Sequence, residues 1–406
     1  MLRPGTFALT ALLAAMTAIG PLTTDMYLPS LPDIAQMLGA TTAQVQLTVS
    51  SYLVGFAVGQ IVYGPVSDRH GRKPVLFAAI VLYCAATLAC ALSTSIDMLI
   101  AARFVQALGG AGDIVLARAI VRDLYAGARA GRELSLIGGV MALAPVLAPL
   151  IGGVLQTGFG WRSVVFTLLG AGLLSAAVIV PLMPETLSVR ASEPVSPTTM
   201  LRSYRVLARN PAYLAYLGLA STSFAGLFAW ISGSSFVLQY LYGLTPFQFG
   251  VAFAVGSVGY MIGTTYAARL VMRLGIDRTL GVGCAAMAIG GVGMMLAIAF
   301  GLTSAASIVL PMALYLGGMG MVLPQAFAGA MTPFPERAGA ASALLGFIQQ
   351  TGSALCGAVV GWLLGTSAWP LVAAVAAMGC ASLLLWISTR AIRARATIGD
   401  QVSTAE

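Results

Sequence analysis

The first residue in this chain with chemistry to offer is a carboxylic acid set among apolar neighbours. Asp25 lies in Thr23-Thr24-Asp25-Met26-Tyr27-Leu28-Pro29-Ser30-Leu31-Pro32, toward the outer part of a long apolar run. A carboxylate at membrane depth costs about 2.5–3.5 kcal/mol even on the mildest insertion scale, so it is rarely idle. Desolvation favours the neutral acid, which suits such a group to loading and unloading by a proton gradient. Pro29 and Pro32 withdraw backbone donors and bend or end the helix beside it. The alternative is that Asp25 caps a neighbouring helix or lies at the outer interface.

Two further charges fall in the stretch Arg103-Phe-Val-Gln106-Ala-Leu-Gly109-Gly110-Ala-Gly112-Asp113. A guanidinium stays charged in any environment, so Arg103 needs a carboxylate, a carbonyl or water, and it acts on a nearby acid. Ten residues at 1.5 Å rise separate Arg103 from Asp113 by about 15 Å, too far for an intrahelical pair. Asp113 is expected to pair with a basic residue such as Arg118, the alternative being a second proton- or cation-binding group. Gly109, Gly110 and Gly112 allow close approach of another helix. The second half of the chain offers fewer polar groups: Phe224 and Phe228 one turn apart, and Gln349-Gln350 amid apolar residues. One of those amides is expected to face inward and find a partner.

The elements that position these groups follow from composition. The chain has 406 residues, 59% hydrophobic and 8% charged. Twelve apolar runs, about 6–28, 45–67, 74–93, 97–121, 133–157, 163–183, 212–237, 246–272, 279–301, 304–328, 339–365 and 369–390, are each long enough to cross a core about 30 Å thick. With the amino terminus inside, the inner segments hold 19 of the 21 Lys and Arg residues, while Arg162 lies outside and Arg103 within a span. That bias predicts cytoplasmic termini. The net charge of +8 then reflects topology and anionic lipid, not nucleic acid. Five cysteines, Cys84, Cys90, Cys284, Cys356 and Cys380, all fall in apolar runs and form no C-x-x-C pair, so they read as small buried hydrophobes. With no metal-ligand cluster, no nucleophile elbow and no His near a nucleophile, the sequence argues against an enzyme. The stretch from Pro184 to Asn210 is rich in proline, serine and arginine and reads as a linker, with a short surface helix expected over Tyr204–Arg209.

The thirteen residues Gly64-Pro-Val-Ser-Asp68-Arg69-His70-Gly71-Arg72-Lys73-Pro-Val-Leu76 are expected to form a loop between the second and third spans, with Gly64 and Gly71 as its turn residues. Their pattern resembles the G-x-x-x-D-R-x-G-R-K signature of the major facilitator superfamily. A shift of 204 residues lays Arg273-Leu-Gly275 over Arg69-His-Gly71, with Met272 at the place of Asp68. Within the superfamily, T-D-M-Y-L-P-x-L-P resembles the first helix of the Bcr/CflA branch of drug exporters, and Arg103-x-x-Gln106-x-x-Gly109 resembles the fourth-helix motif of proton-linked members. Pro145, Pro149, Gly152 and Gly153, in A-P-x-x-A-P-x-x-G-G, resemble the antiporter helix, with Ala148 replacing its first glycine. Gly160-Trp161-Arg162 and the Leu182–Leu187 stretch also look like that branch.

The resemblance implies an all-α membrane protein, twelve transmembrane helices in two pseudo-symmetric six-helix halves. The expected divisions are an N-terminal half over 1–183, a linker over 184–211, a C-terminal half over 212–395 and a disordered tail over 396–406. It implies proton coupling through Asp25 and Arg103, to which Asp113, an acid outside the branch's pattern, is added as a candidate, and substrate contacts from Asp25, Tyr27 and Gln106, to which Phe224, Phe228, Gln349 and Gln350 are added as candidates. A conformational latch is implied at Gly64, Asp68, Arg69, Gly71, Arg72, Arg118 and Arg122, in which Asp68 pairs with an arginine of the fourth helix and faces the eleventh. His70, exposed in this segment, is not expected to relay protons. The implied activity is export of a small apolar or amphipathic drug or metabolite across a bacterial inner membrane. The proton gradient drives it, with no cofactor and with the monomer as the working unit. The alternatives are a proton-coupled nutrient importer of the same fold and a membrane receptor that does not transport.

Overall fold

The computed structural model describes residues 7–125, 127–187, 197–302, 304–334 and 337–394. Helices follow in the order α1 Phe7–Asp25, α2 Leu31–Met37, α3 Thr42–His70, α4 Arg72–Ala91, α5 Ile96–Leu124, α6 Gly127–Phe159, α7 Trp161–Leu182, α8 Pro197–Leu207, α9 Pro211–Phe236, α10 Pro246–Ala299, α11 Ala306–Met331, α12 Ala338–Leu363 and α13 Trp369–Ser388. Ten helical segments among the described residues are long and apolar enough to cross a membrane. The 54-residue α10 is two helices joined at Gly275 (φ 78°, ψ 174°). Splitting it there and adding the 33-residue α6 brings the set to the expected twelve. The surface helix α8 starts earlier than expected, at Pro197, and the expected tail over 396–406 lies outside the described residues.

Local chemistry sets the helix ends. Thr41 and Gln44 form a reciprocal capping box at α3, Ser95 caps α5 by accepting from the Met98 amide, and Asn210 caps α9 through the Tyr213 amide. Each supplies an acceptor for amides that the first turn leaves unpaired. At the other end of α4, Arg162 donates to the carbonyls of Ala91 (3.1 Å) and Ser93 (3.0 Å).

The expected loop around Asp68 is not a loop. α3 stays helical through His70 and α4 begins at Arg72, so only Gly71 (φ 100°, ψ 154°) breaks the path. A single residue in a region that Cβ-bearing residues avoid turns the chain, and Pro74 fits the first turn of α4, where its missing N–H costs nothing. Gly64, expected to share the turn, is an ordinary helical residue of α3. The internal repeat survives in the backbone, because Gly275, which overlies Gly71 at the shift of 204, has the same positive φ.

The chain forms two compact units, one of residues 1–194 with Gly243–Ala254 and one of residues 195–242 with Val255–Glu406. In the first, α5 is the central helix and packs against α3, α4 and α1. Small residues make this possible: a Cβ at Gly59 would lie 2.6 Å from the Ala111 side chain, and one at Gly109 would lie 2.5 Å from the Tyr83 backbone nitrogen. In the second, α9 plays that part and packs against α11, α12 and α13.

Candidate functional site

The polar core of the first unit is assembled where α1, α3, α4 and α5 meet. α1 ends at Asp25, and a 3-10 turn over Leu28–Ser30 carrying Pro29 follows it. Asp25, Tyr27, Arg103, Gln106 and Asp113 are all buried. The Arg103 guanidinium lies between two aromatic faces, 4.4 Å from the Tyr27 ring centroid and 4.3 Å from that of Tyr52. Its Nη1 donates to Gln106 Oε1 (2.7 Å) and to the Thr23 carbonyl (3.3 Å). Gln106 Nε2 in turn donates to Thr87 Oγ1 (2.9 Å) on α4. Tyr27 OH and Thr48 Oγ1 share a hydrogen bond of 3.0 Å, and Thr23 Oγ1 and Tyr83 OH one of 2.7 Å.

Arg103 is therefore held by a carbonyl, an amide and two π faces, and among the described residues no carboxylate lies within ion-pairing distance of it. Its cation stays fixed beside the backbone of the Asp25 turn without being consumed by a salt bridge. Cation–π contacts of this desolvated kind contribute about 2 kcal/mol, which favours holding the guanidinium in place over letting it seek an acid.

Asp113 departs from expectation. Neither carboxylate oxygen has a hydrogen-bond partner among the described residues, and no ion pair joins it to Arg118, which is exposed. Five residues at 100° each place the two side chains about 140° apart around α5, which is why the pairing fails.

The paired glycines of α6 set the position of Asp25. A Cβ at Gly152 would collide with the Met26 carbonyl, the residue after Asp25, and one at Gly153 would lie 2.6 Å from the Pro246 carbonyl at the start of α10. Pro145 and Pro149 lie inside this helix. The antiporter-like segment thus packs directly on the turn that presents the acid.

The charged segment at the other end of α3 is wired differently from the expected latch. Asp68 Oδ1 pairs with Arg72 Nη1 at 2.6 Å, and α5 contributes an acid, Asp123, whose Oδ2 lies 2.8 Å from Arg72 Nε. Arg118 and Arg122, expected to meet Asp68, are exposed and form no ion pair among the described residues. Glu185 completes the cluster by accepting from the amides of Arg72 (2.9 Å) and Lys73 (3.2 Å). Burial opposes its ionisation, but amides of Leu187, Arg72, Lys73 and Thr186 outweigh that and hold the carboxyl below its ordinary range. Arg72, nearly the least conspicuous cation of the segment, is its hub because three acids surround the start of α4. Arg69 takes no part in an ion pair among the described residues, and His70 Nδ1 lies 3.0 Å from the Val66 carbonyl of its own helix.

In the second unit the Phe224 and Phe228 rings touch, with centroids 5.0 Å apart. Gln349 is buried and donates to the Ala220 carbonyl at 3.4 Å. Gln350 is only part-buried, and its Oε1 has no partner among the described residues. Sequence reasoning missed Tyr52, Tyr83 and Thr23, which are ordinary residues until helix packing brings them to Arg103. It also missed Glu133, a buried acid of α6 that accepts a 2.5 Å hydrogen bond from Thr10. The signal was present, an acid at the first position of the fifth apolar run.

The superfamily model described as Major Facilitator Superfamily matches residues 13–357. The chain belongs to that family. It is 32% identical to multidrug resistance protein D of Escherichia coli K12, with 95% of this chain and 97% of that protein covered. It is 30% identical to the bicyclomycin resistance protein homolog of Haemophilus influenzae, over 97% and 99% of the two chains. The partially occluded inward-open structure of the E. coli xylose transporter XylE matches the fold with a TM-score of 0.73 at 14% identity, covering 94% of this chain and 96% of that one. Membership makes this a multi-pass membrane transport protein, not an enzyme.

Proposed function

We propose that this major facilitator exports small apolar or amphipathic compounds, drugs among them, from the bacterial cytoplasm in exchange for protons. The observation that carries the reading is Asp25: a buried acid with no ion pair among the described residues, presented beside a fixed Arg103 by an antiporter-like helix. The names of the relatives, multidrug resistance and bicyclomycin resistance, support export and the substrate class.

In the cycle, Asp25 takes a proton while the site is open outward and substrate leaves. The site reorients, the proton departs to the cytoplasm, and the ionised acid is ready for the next substrate. Arg103 keeps the pocket positively biased, so that the vacated carboxylate is tolerated. Tyr27 and Gln106, which hold Arg103, are the substrate contacts of the first unit, and Phe224, Phe228, Gln349 and Gln350 are those of the second. The halves over 1–183 and 212–395 alternate access around the linker over 184–211. The cluster at Asp68, Arg72, Asp123 and Glu185 closes the cytoplasmic side, where both termini lie. The proton gradient is the energy source, no cofactor takes part, and the monomer in the inner membrane is the working unit.

The test uses everted vesicles from an exporter-deficient strain, energised by a pH gradient, with ethidium as the probe. The wild-type chain should accumulate ethidium, and Asp25→Asn, which keeps shape but cannot titrate, should stop it while the protein still inserts. Wild-type rates in Asp25→Asn vesicles would overturn the role of Asp25. Movement of the probe down the proton gradient would point to an importer.

A further inference from the structure

The polar core contains more acid than its fixed cation can compensate. Arg103 is the one buried base of the transmembrane core of this unit among the described residues, and Asp25 and Asp113 are both buried with it. One carboxylate can be balanced by Arg103 through space; the other must carry a proton or a cation. We propose that Asp113 is a second proton-binding carboxyl of the transport cycle.

Geometry selects the proton as occupant. Asp113 is 1% exposed and both of its oxygens are closed off and unpartnered among the described residues. A closed site of this kind has no room for an organic cation without helix separation, whereas a bound proton adds no volume. Ala79 and Tyr63 press against Gly112 beside it, so the surroundings are tight as well as dry.

Tyr52, Tyr63 and Tyr83 pack on Gly110 and Gly112, the residues of α5 just before Asp113. Tyr52 also stacks on Arg103, whose guanidinium lies 4.3 Å from the Tyr52 ring centroid. Tyr83 lies against Gly109 and Gly110 of α5 and shares the 2.7 Å hydrogen bond with Thr23, two residues from Asp25. The titratable groups facing Asp113 are Tyr52 and Tyr63 from α3 and Tyr83 and Cys84 from α4. These are neutral near pH 7 in their ordinary ranges, so none supplies a compensating cation. Arg103 lies about three turns away along α5, and Glu133 of α6 is engaged with Thr10.

This inference deepens the proton-coupled reading and rests on it for the transport arm alone. The direct test is infrared difference spectroscopy on the full-length protein in lipid, acid minus alkaline, following the carbonyl stretch of protonated carboxylic acids. Asp25→Asn and Asp113→Asn should each remove a separate band, and Asp113→Glu should retain a shifted one, which controls for folding. Superimposable wild-type and Asp113→Asn spectra, with Asp113→Glu also unshifted, would overturn the proposal. In proteoliposomes, the protons exchanged per ethidium, from the reversal potential, should halve in Asp113→Asn, and an unchanged ratio would likewise overturn it. If wild-type protein moved no ethidium under a pH gradient, the export reading would fall while the spectra still decided whether Asp113 titrates.

Discussion

The two units turn their chains at matching glycines and then surround the turn with opposite charge. After Gly71 comes a buried cation, Arg72, held by Asp68 and Asp123. After Gly275 comes an acid, Asp277, held at 2.7 Å by the buried Arg393 that follows α13. Arg393 also donates to the Trp386 carbonyl (2.8 Å), and Trp386 donates to the Asp277 carbonyl (2.9 Å). The backbone break is shared and the sign of the charge is not. Both junctions combine a glycine at positive φ with an Arg–Asp pair, the arginine following the glycine in one and the aspartate in the other.

The contrast extends into the membrane. The first unit buries Asp25, Arg103, Asp113 and Glu133, whereas among the described residues the buried polar groups of α9 to α13 are hydroxyls and amides such as Ser223, Gln325, Gln349 and Ser353, with the buried Arg393 lying after α13. Under the proposed function, proton chemistry belongs to the first unit and shape and hydrogen-bond recognition to the second.

The largest expected effect tests that division. Arg103→Lys keeps the charge but loses the flat stack between Tyr27 and Tyr52, so pH-driven transport should fall at least about tenfold. Gln349→Leu in the second unit should instead change the apparent affinity for ethidium and leave the pH profile of transport in place. A shifted pH profile in Gln349→Leu would break the division.

The junctions come next. Arg72→Gln and Arg393→Gln each leave at least one acid without its partner, at a cost below the roughly 3–5 kcal/mol of a fully buried pair because these acids reach solvent. Arg72→Gln should be the more damaging, because it abandons Asp123, whose side chain is 17% exposed, whereas Asp277 is 40% exposed and rehydrates readily. Thermal unfolding of the two variants in detergent would rank them, and the reverse order would show that the polarity of the junction matters more than its burial.

Glu185→Gln should have the smallest effect, about 1 kcal/mol after allowance for solvent screening. The folded carboxyl titrates below its ordinary value of 4.5, so its stabilisation is complete above the unfolded pKa and fades as pH falls through the folded one. Wild-type and Glu185→Gln melting temperatures should therefore differ at neutral pH and converge on acidification. A gap that persisted in acid would mean that Glu185 acts by packing and not by charge.

The amino-acid sequence by itself determined the membrane class, the twelve helices and the family, because hydropathy, glycine placement and the Asp68–Lys73 pattern are properties of contiguous residues. It also marked Asp25, Arg103 and Gln106, since a polar group in an apolar run is conspicuous without any partner in view, and it matched Gly275 to Gly71. Partners were decided only by the tertiary structure. Asp68 meets Arg72 and not Arg118 or Arg122, because α3 runs helical to its last turn and α5 brings Asp123 to the same place. Asp113 has no arginine because the helical repeat turns Arg118 away from it, and Gln349 rather than Gln350 reaches Ala220 because the face of α12 that packs on α9 carries only one of them. A helix face is local information, but which faces meet depends on every contact in the bundle at once.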